Sequence, residues 1–201
     1  MNSTTKTIFG ISTLTAPLGF VLGWAILIQR TEQAPDMGWT LSHLFLLAGV
    51  VLFVPTIAGL RYMLDKKDVK TADIGMGLAI LGILALVGQF AIDLAVGQLA
   101  TSPSEMSSIF KNVYSAPPII LSFQITAIMF YVGLIMLILL LIRFHLVAQW
   151  AGILAMIGII IVVGGAFSGT AIATLLGFVS LWAGLVPIGW RILTQPSSNQ
   201  L

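Results

Sequence analysis

The chain has no cysteine among its 201 residues, only two histidines, and charged side chains at 8% of its composition. Each shortage removes a class of function. Without cysteine there is no disulfide framework, no thiolate nucleophile and no Cys-ligated zinc or iron–sulfur cluster. With His43 and His145 near opposite ends of the apolar segments, a bis-histidine haem, which needs two facing imidazoles at one depth, is excluded. Zinc sites want three or four ligands, and the half of the chain's depth that holds His43 offers only Asp93 beside it. No lysine lies inside an apolar run, so a retinal-type Schiff base has no anchor. Gly75-x-Gly77 lacks the rest of a dinucleotide or phosphate-loop fingerprint. No metal and no cofactor is therefore expected.

A soluble domain carries about 25% charged residues, and this chain is 58% apolar with a mean hydropathy of +1.07. No soluble fold hides that much apolar surface. The apolar residues fall into six runs, about 8–28, 39–61, 74–99, 119–142, 146–167 and 170–193. About 20 apolar residues in a helix cross the roughly 30 Å hydrocarbon core, so the sequence predicts an all-α, polytopic bundle of six transmembrane helices forming one domain over 1–201. The first run is too long for a signal-peptide core of about 7–15 residues and is expected to remain a span. It carries Gly19 and Gly23 in a GxxxG pattern beside Ser12 and Ala16, a close-packing face. Pro17 and Pro55 are expected to bend their helices, because proline removes a backbone bond. The longest connection, 101–117, opens Ser102-Pro103-Ser104-Glu105 like a helix cap and spaces Met106, Ile109, Phe110 and Val113 helically. That pattern predicts an amphipathic helix lying on the membrane surface. Gln195–Gln200 is expected to be a disordered polar tail.

An even number of spans puts both termini on one side. Lys6, Arg61, Lys66, Lys67, Lys70, Arg143 and Arg191 fall there, against Arg30 and Lys111 opposite. By the positive-inside rule both termini should be cytoplasmic. The basic excess of +2 thus reads as a topology signal, and nucleic acid is not an expected partner. Membrane lipid is, and an oligomer is compatible with the sequence. Trp39 is expected to anchor the outer interface, and Trp150 and Trp190 the inner one.

One carboxylate lies inside a span. Asp93 is six residues from Leu99, about 9 Å deep at helical rise, and shares a face with Gln89, Leu86, Gly82, Ala79 and Gly75. His43 lies about 6 Å below Trp39, and Gln124 about 9 Å below Pro118, in the same leaflet. Runs two and three are joined by a short connection and should be antiparallel neighbours, which lets His43 reach Asp93. Tyr131 follows on the face of Gln124, deeper, whereas His145 reads as a solvated loop residue. A charge at the bilayer centre costs about 2.5–3.5 kcal/mol on insertion scales, so an intramembrane ionisable group is a functional candidate. The candidate site is Asp93, His43, Gln89 and Gln124. It suggests an outward-facing polar pocket that binds or transports a small solute, ion or lipid, with Asp93 and His43 exchanging protons. The alternatives are a non-catalytic sensor, immunity factor or partner subunit, and an intramembrane hydrolase with Ser122 as nucleophile, His43 as base and Asp93 as orienter. Catalysis is the less favoured reading, since no local motif supports it.

The last two runs contain Gln149-Trp150-Ala151-Gly152-Ile153-Leu154 after a short basic turn, then Leu181-Trp182 and Gly189-Trp190-Arg191-Ile192-Leu193. In these residues the chain resembles a widespread group of bacterial six-span membrane proteins without an assigned activity. The resemblance covers about a quarter of the chain. It implies a bacterial inner membrane and no mechanism.

Overall fold

The computed structural model describes residues 2–30 and 34–195, so most of the polar tail expected to be disordered lies outside the described residues. Seven helices are named here in chain order: α1 Ser3–Leu27, α2 Met37–Met63, α3 Val69–Leu99, α4 Pro103–Tyr114, α5 Pro117–Arg143, α6 Gln149–Ser168 and α7 Ala171–Thr194. All but α4 are long and apolar enough to cross a membrane, the architecture of a multi-pass integral membrane protein. No strand occurs among the described residues.

The helix ends follow local chemistry more than hydropathy. Asn2 caps α1 by accepting from the Thr5 N–H at 2.8 Å, and Asp36 caps α2 by accepting from the Trp39 N–H at 2.8 Å. Helix α3 starts at Val69, five residues before the apolar run, because a charged turn continues it beyond the apolar segment. There Arg61 grips Asp73 at 2.6 Å. The link before it places Lys66 and Asp68 in the left-handed region, at φ 64° and 41°. Helix α6 starts at Gln149, after a turn in which His145 has φ 55° and is exposed. Helix α6 ends at Gly169, whose φ of 67° suits a residue without Cβ and turns the chain directly into α7.

Helix α5 is not regular. Residues Ile120–Ile125 form a π-helical turn inside a span expected to be continuous. The backbone N–H and the hydroxyl of Thr126 both end on the Leu121 carbonyl, at 3.2 and 2.8 Å. One threonine thus holds the wide turn by supplying two donors to a single acceptor.

The spans form a ring. Helix α1 packs against both α2 and α7, α2 against α3, α3 against α5, and α6 against α7, while α5 and α6 meet only sparsely. The Lys6 ammonium donates to the Gln195 carbonyl, so α1 begins and α7 ends at the same end of the bundle. Phe20, Phe53, Phe130 and Phe178 fill the middle, with Phe20 stacked on Phe178 at 4.6 Å and Phe53 edge-on to Phe20 and Phe130. Trp150 and Trp190 are 60% and 63% exposed at the terminal end, where amphipathic rings suit a membrane interface.

Close helix contact depends on small residues, as in other membrane bundles. A Cβ on Gly82 would sit 2.0 Å from the Phe130 backbone nitrogen, whereas one on Gly77 would meet nothing within 4 Å. Gly82→Val is expected to destabilise the solubilised protein by about 3 kcal/mol or more, the upper end for overpacking. Gly77→Ala should be neutral or stabilise by about 0.5–1 kcal/mol. Unfolding midpoints in detergent check both, and an unaffected Gly82→Val would refute the α3–α5 contact.

Candidate functional site

The site begins at the start of α2. Asp36 accepts from the Trp39 N–H and from Arg30 Nη1 at 2.5 Å. These bonds, the Trp39 one foremost, hold its carboxyl below the usual range. The Arg30 guanidinium also lies over the Trp39 ring at 5.6 Å. Trp39 was expected at the membrane interface, but it is buried, 7% exposed. Its indole N–H donates to the backbone carbonyl of Asp93 at 2.8 Å. The indole can lie this close to α3 because residue 97 is glycine; a Cβ there would be 2.3 Å from Trp39 Cδ1.

One turn on, the His43 ring packs on Trp39 at 4.0 Å and is only 3% exposed. A headgroup contact is therefore ruled out. Its Nδ1 lies 2.9 Å from the Trp39 carbonyl and 3.2 Å from Ser42 Oγ. Its Nε2 is 3.7 Å from Asp93 Oδ2, close enough for charge attraction and too long for a hydrogen bond. The other carboxylate oxygen, Oδ1, accepts from the Tyr114 hydroxyl at 2.5 Å.

Tyr114 was not among the residues expected here, and it arrives from α4. That helix starts with Ser102 accepting from the Glu105 N–H, while Glu105 reaches back to the N–H and hydroxyl of Thr101 at 2.8 and 2.7 Å. Its inner face buries Met106 completely in a small cluster with Trp39, Val96 and Ala100. Phe110 meets Trp39 edge-on at 5.4 Å and stacks on Tyr114 at 5.8 Å. The spacing 106, 110, 114 puts all three on one helical face, and this was the available signal for Tyr114. Burial first, and then the Asp93 charge, pushes the Tyr114 hydroxyl well above its ordinary pKa of 10.0, so it stays a donor.

Gln89 and Gln124 lie elsewhere. Both line a cavity of about 390 Å³ between α1, α3, α5, α6 and α7, toward the α4 end and beside the sparse α5–α6 seam. Tyr131 and Trp24 line it too. Among the described residues, neither carboxamide, nor the Tyr131 hydroxyl, nor the Trp24 indole N–H makes a hydrogen bond. Neither His43 nor Asp93 reaches the cavity. Phe90 stands between, lining the cavity with its ring edge-on to His43 at 6.4 Å. The four expected residues are thus two pairs divided by one phenyl ring.

Ser122 is exposed on the π turn and bonds to neither His43 nor Asp93. The serine at His43 is Ser42, fully buried, with its hydroxyl donating to the Trp39 carbonyl at 2.8 Å. A substrate cannot reach it. Among the described residues no group of three or more His, Cys, Asp or Glu could hold a metal ion. No protein-family model, curated protein or solved structure matches the chain, so its own residues carry the functional argument.

The raised Tyr114 pKa has a defined sign. Docking of α4 through this hydroxyl is fully present below about pH 10, the unfolded tyrosine value, and is lost as pH rises further toward the folded value. Tyr114→Phe should cost about 1.5–3 kcal/mol below that pH, as for a hydrogen bond to a charged group. The gap between the wild-type and Tyr114→Phe unfolding midpoints should then close above pH 10. A gap that stays constant from pH 7 to 11 would show that the bond does not hold α4.

Proposed function

We propose that the protein is a multi-pass protein of a bacterial cytoplasmic membrane, both termini cytoplasmic, whose α4-end cavity binds or moves a small solute or lipid at the outer leaflet. The observation that carries this reading is the convergence of unpartnered polar side chains, Gln89, Gln124 and Tyr131, on one cavity in a six-span bundle. Gln89 and Tyr131 are half-buried and Gln124 is exposed; in a bilayer, where no water offers bonds, a polar group without a protein partner is costly, and leucine or phenylalanine would fill these positions without that cost. A bound molecule supplies the missing bonds. The cavity volume falls in the roughly 300–1,000 Å³ range of small-molecule sites. The sparse α5–α6 seam gives a lipid-soluble molecule a lateral way in. A change of charge at His43 or Asp93 would act on the cavity through Phe90, whose ring lines it and stands edge-on to His43. Seven cationic side chains at the terminal end against Arg30 and Lys111 at the other support the orientation.

A second reading has its own support. The partners of His43 and Asp93, namely Trp39, Ser42 and Tyr114, all come from the chain itself. That saturation favours a purely structural pair in a scaffold or partner subunit.

Ala166 lines the cavity from α6 and is exposed, so Ala166→Phe fills the space without moving the backbone. Released from nanodiscs of native lipid into a mass spectrometer, the wild type should retain a small-molecule adduct that Ala166→Phe loses. Equal adducts, or none in either, would remove the binding reading in favour of the scaffold. The absence of cysteine allows a clean orientation test. A membrane-impermeant maleimide added to intact cells should label Ser115→Cys and leave Ser3→Cys unlabelled, and the reverse pattern would invert the topology.

A further inference from the structure

We infer that the occupant of the cavity is a neutral, flat, ring-bearing molecule that presents a carbonyl oxygen to Gln89, Gln124 and Trp24. The inference rests on the reading of this cavity as a binding site and specifies the chemistry of its ligand. Three observations lead to it. First, none of the residues lining the cavity is Asp, Glu, Lys, Arg or His. An ionised ligand would lose its hydration with no counter-charge to replace it, and the nearest acid, Asp93, is already engaged by Tyr114 and His43. The ligand is therefore uncharged.

Second, six of the 15 lining residues are aromatic, Phe20, Trp24, Phe90, Tyr131, Phe167 and Phe178, where aromatics make up 9% of the chain. An acyl chain needs no such wall and is served equally by leucine or valine. The Phe20 and Phe178 rings lie near-parallel, 25° apart, and Phe90 meets Phe20 edge-on at 6.0 Å. Those three rings are buried against one another, and the faces and edges left open to a flat π system are those of Trp24, Tyr131 and Phe167. Third, each of the unpartnered groups can donate, and the Trp24 indole can do nothing else. Each carboxamide carries two N–H donors, and the Tyr131 hydroxyl adds another. A carbonyl oxygen, with two lone pairs, matches that set.

The probe is propionyl-dimethylaminonaphthalene, a neutral flat ketone whose emission reports its surroundings. Its comparators are anilinonaphthalene sulfonate, flat and anionic, and naphthalene, flat and without an acceptor. Each is titrated into the full-length protein in detergent, with Ala166→Phe at equal concentration as the blank for micelle partition. The ketone should bind the wild type saturably, at least about tenfold more tightly than either comparator. Gln89→Leu and Gln124→Leu should each weaken the ketone by about three- to tenfold, the value of one hydrogen bond, and leave naphthalene unchanged. Their unfolding midpoints serve as the check on folding.

Sulfonate binding as tight as the ketone's, and absent from Ala166→Phe, would overturn the neutral class while leaving the cavity a site. Naphthalene binding as tight would overturn the carbonyl assignment. If no dye distinguishes wild type from Ala166→Phe, the ligand class is overturned. The adduct measurement, made with native lipid, then decides separately whether the cavity is a site at all.

Discussion

Asp93 is held at both of its ends, and the geometry of the α4 end depends on that double grip. Its backbone carbonyl takes the Trp39 indole N–H, which fixes α2 against α3, and its carboxylate takes the Tyr114 hydroxyl, which fixes α4 across both. Lipid offers no hydrogen bonds in exchange, so a carboxylate near the membrane surface needs partners from the protein. Gly97 permits the first contact by leaving room for the indole. The imidazole of His43 then closes the remaining side without a direct bond.

Phe90 transmits this arrangement to the interior. It lies one helical turn before Asp93 on α3, so the grip on Asp93 also sets where the Phe90 ring stands. On one side of that ring the Trp39 indole, the His43 Nδ1 and the Tyr114 hydroxyl all find partners in the chain, and on the other Gln89, Gln124 and Tyr131 make no side-chain hydrogen bond among the described residues. The first region behaves as a joint between helices. The second is where we propose that a ligand binds, because its polar side chains have no partner among the described residues. The π turn of α5 belongs with the second region, since it carries Gln124 to the cavity wall. Extra-wide turns of this kind are frequent at functional positions.

Much of the fold was legible because hydropathy and length are strong signals in a membrane chain. The six spans and the amphipathic α4 follow from them directly, and the approach of His43 to Asp93 follows from helical rise and a short connection. What escaped the sequence has specific causes. Trp39 reads as an interfacial anchor by residue type, and nothing local reveals that Gly97, far along the chain, opens a place for it on α3. Tyr114 sits on the apolar face with Met106 and Phe110, but spacing alone does not show which buried acid its hydroxyl meets. Depth placed Gln89 and Gln124 beside Asp93, and depth says nothing about azimuth around the bundle. Phe90, an ordinary apolar residue by sequence, is what separates them. The π turn depends on one threonine bonding backward, which no periodicity encodes.

The Lys6 contact with the Gln195 carbonyl has a bearing on biogenesis. Helix α1 lies beside α7, which is made well after it, so one flank of α1 stays without its protein neighbour until α7 has been made. Lipid or an insertion factor must cover Gly10 and Leu14, which meet α7, throughout that interval. The α1–α2 hairpin can assemble early, while the circle of helices can be sealed only once α7 is in place. A chain truncated before α7 would therefore leave Gly10 and Leu14 uncovered, carrying the mark of the missing helix on a segment far from it in sequence.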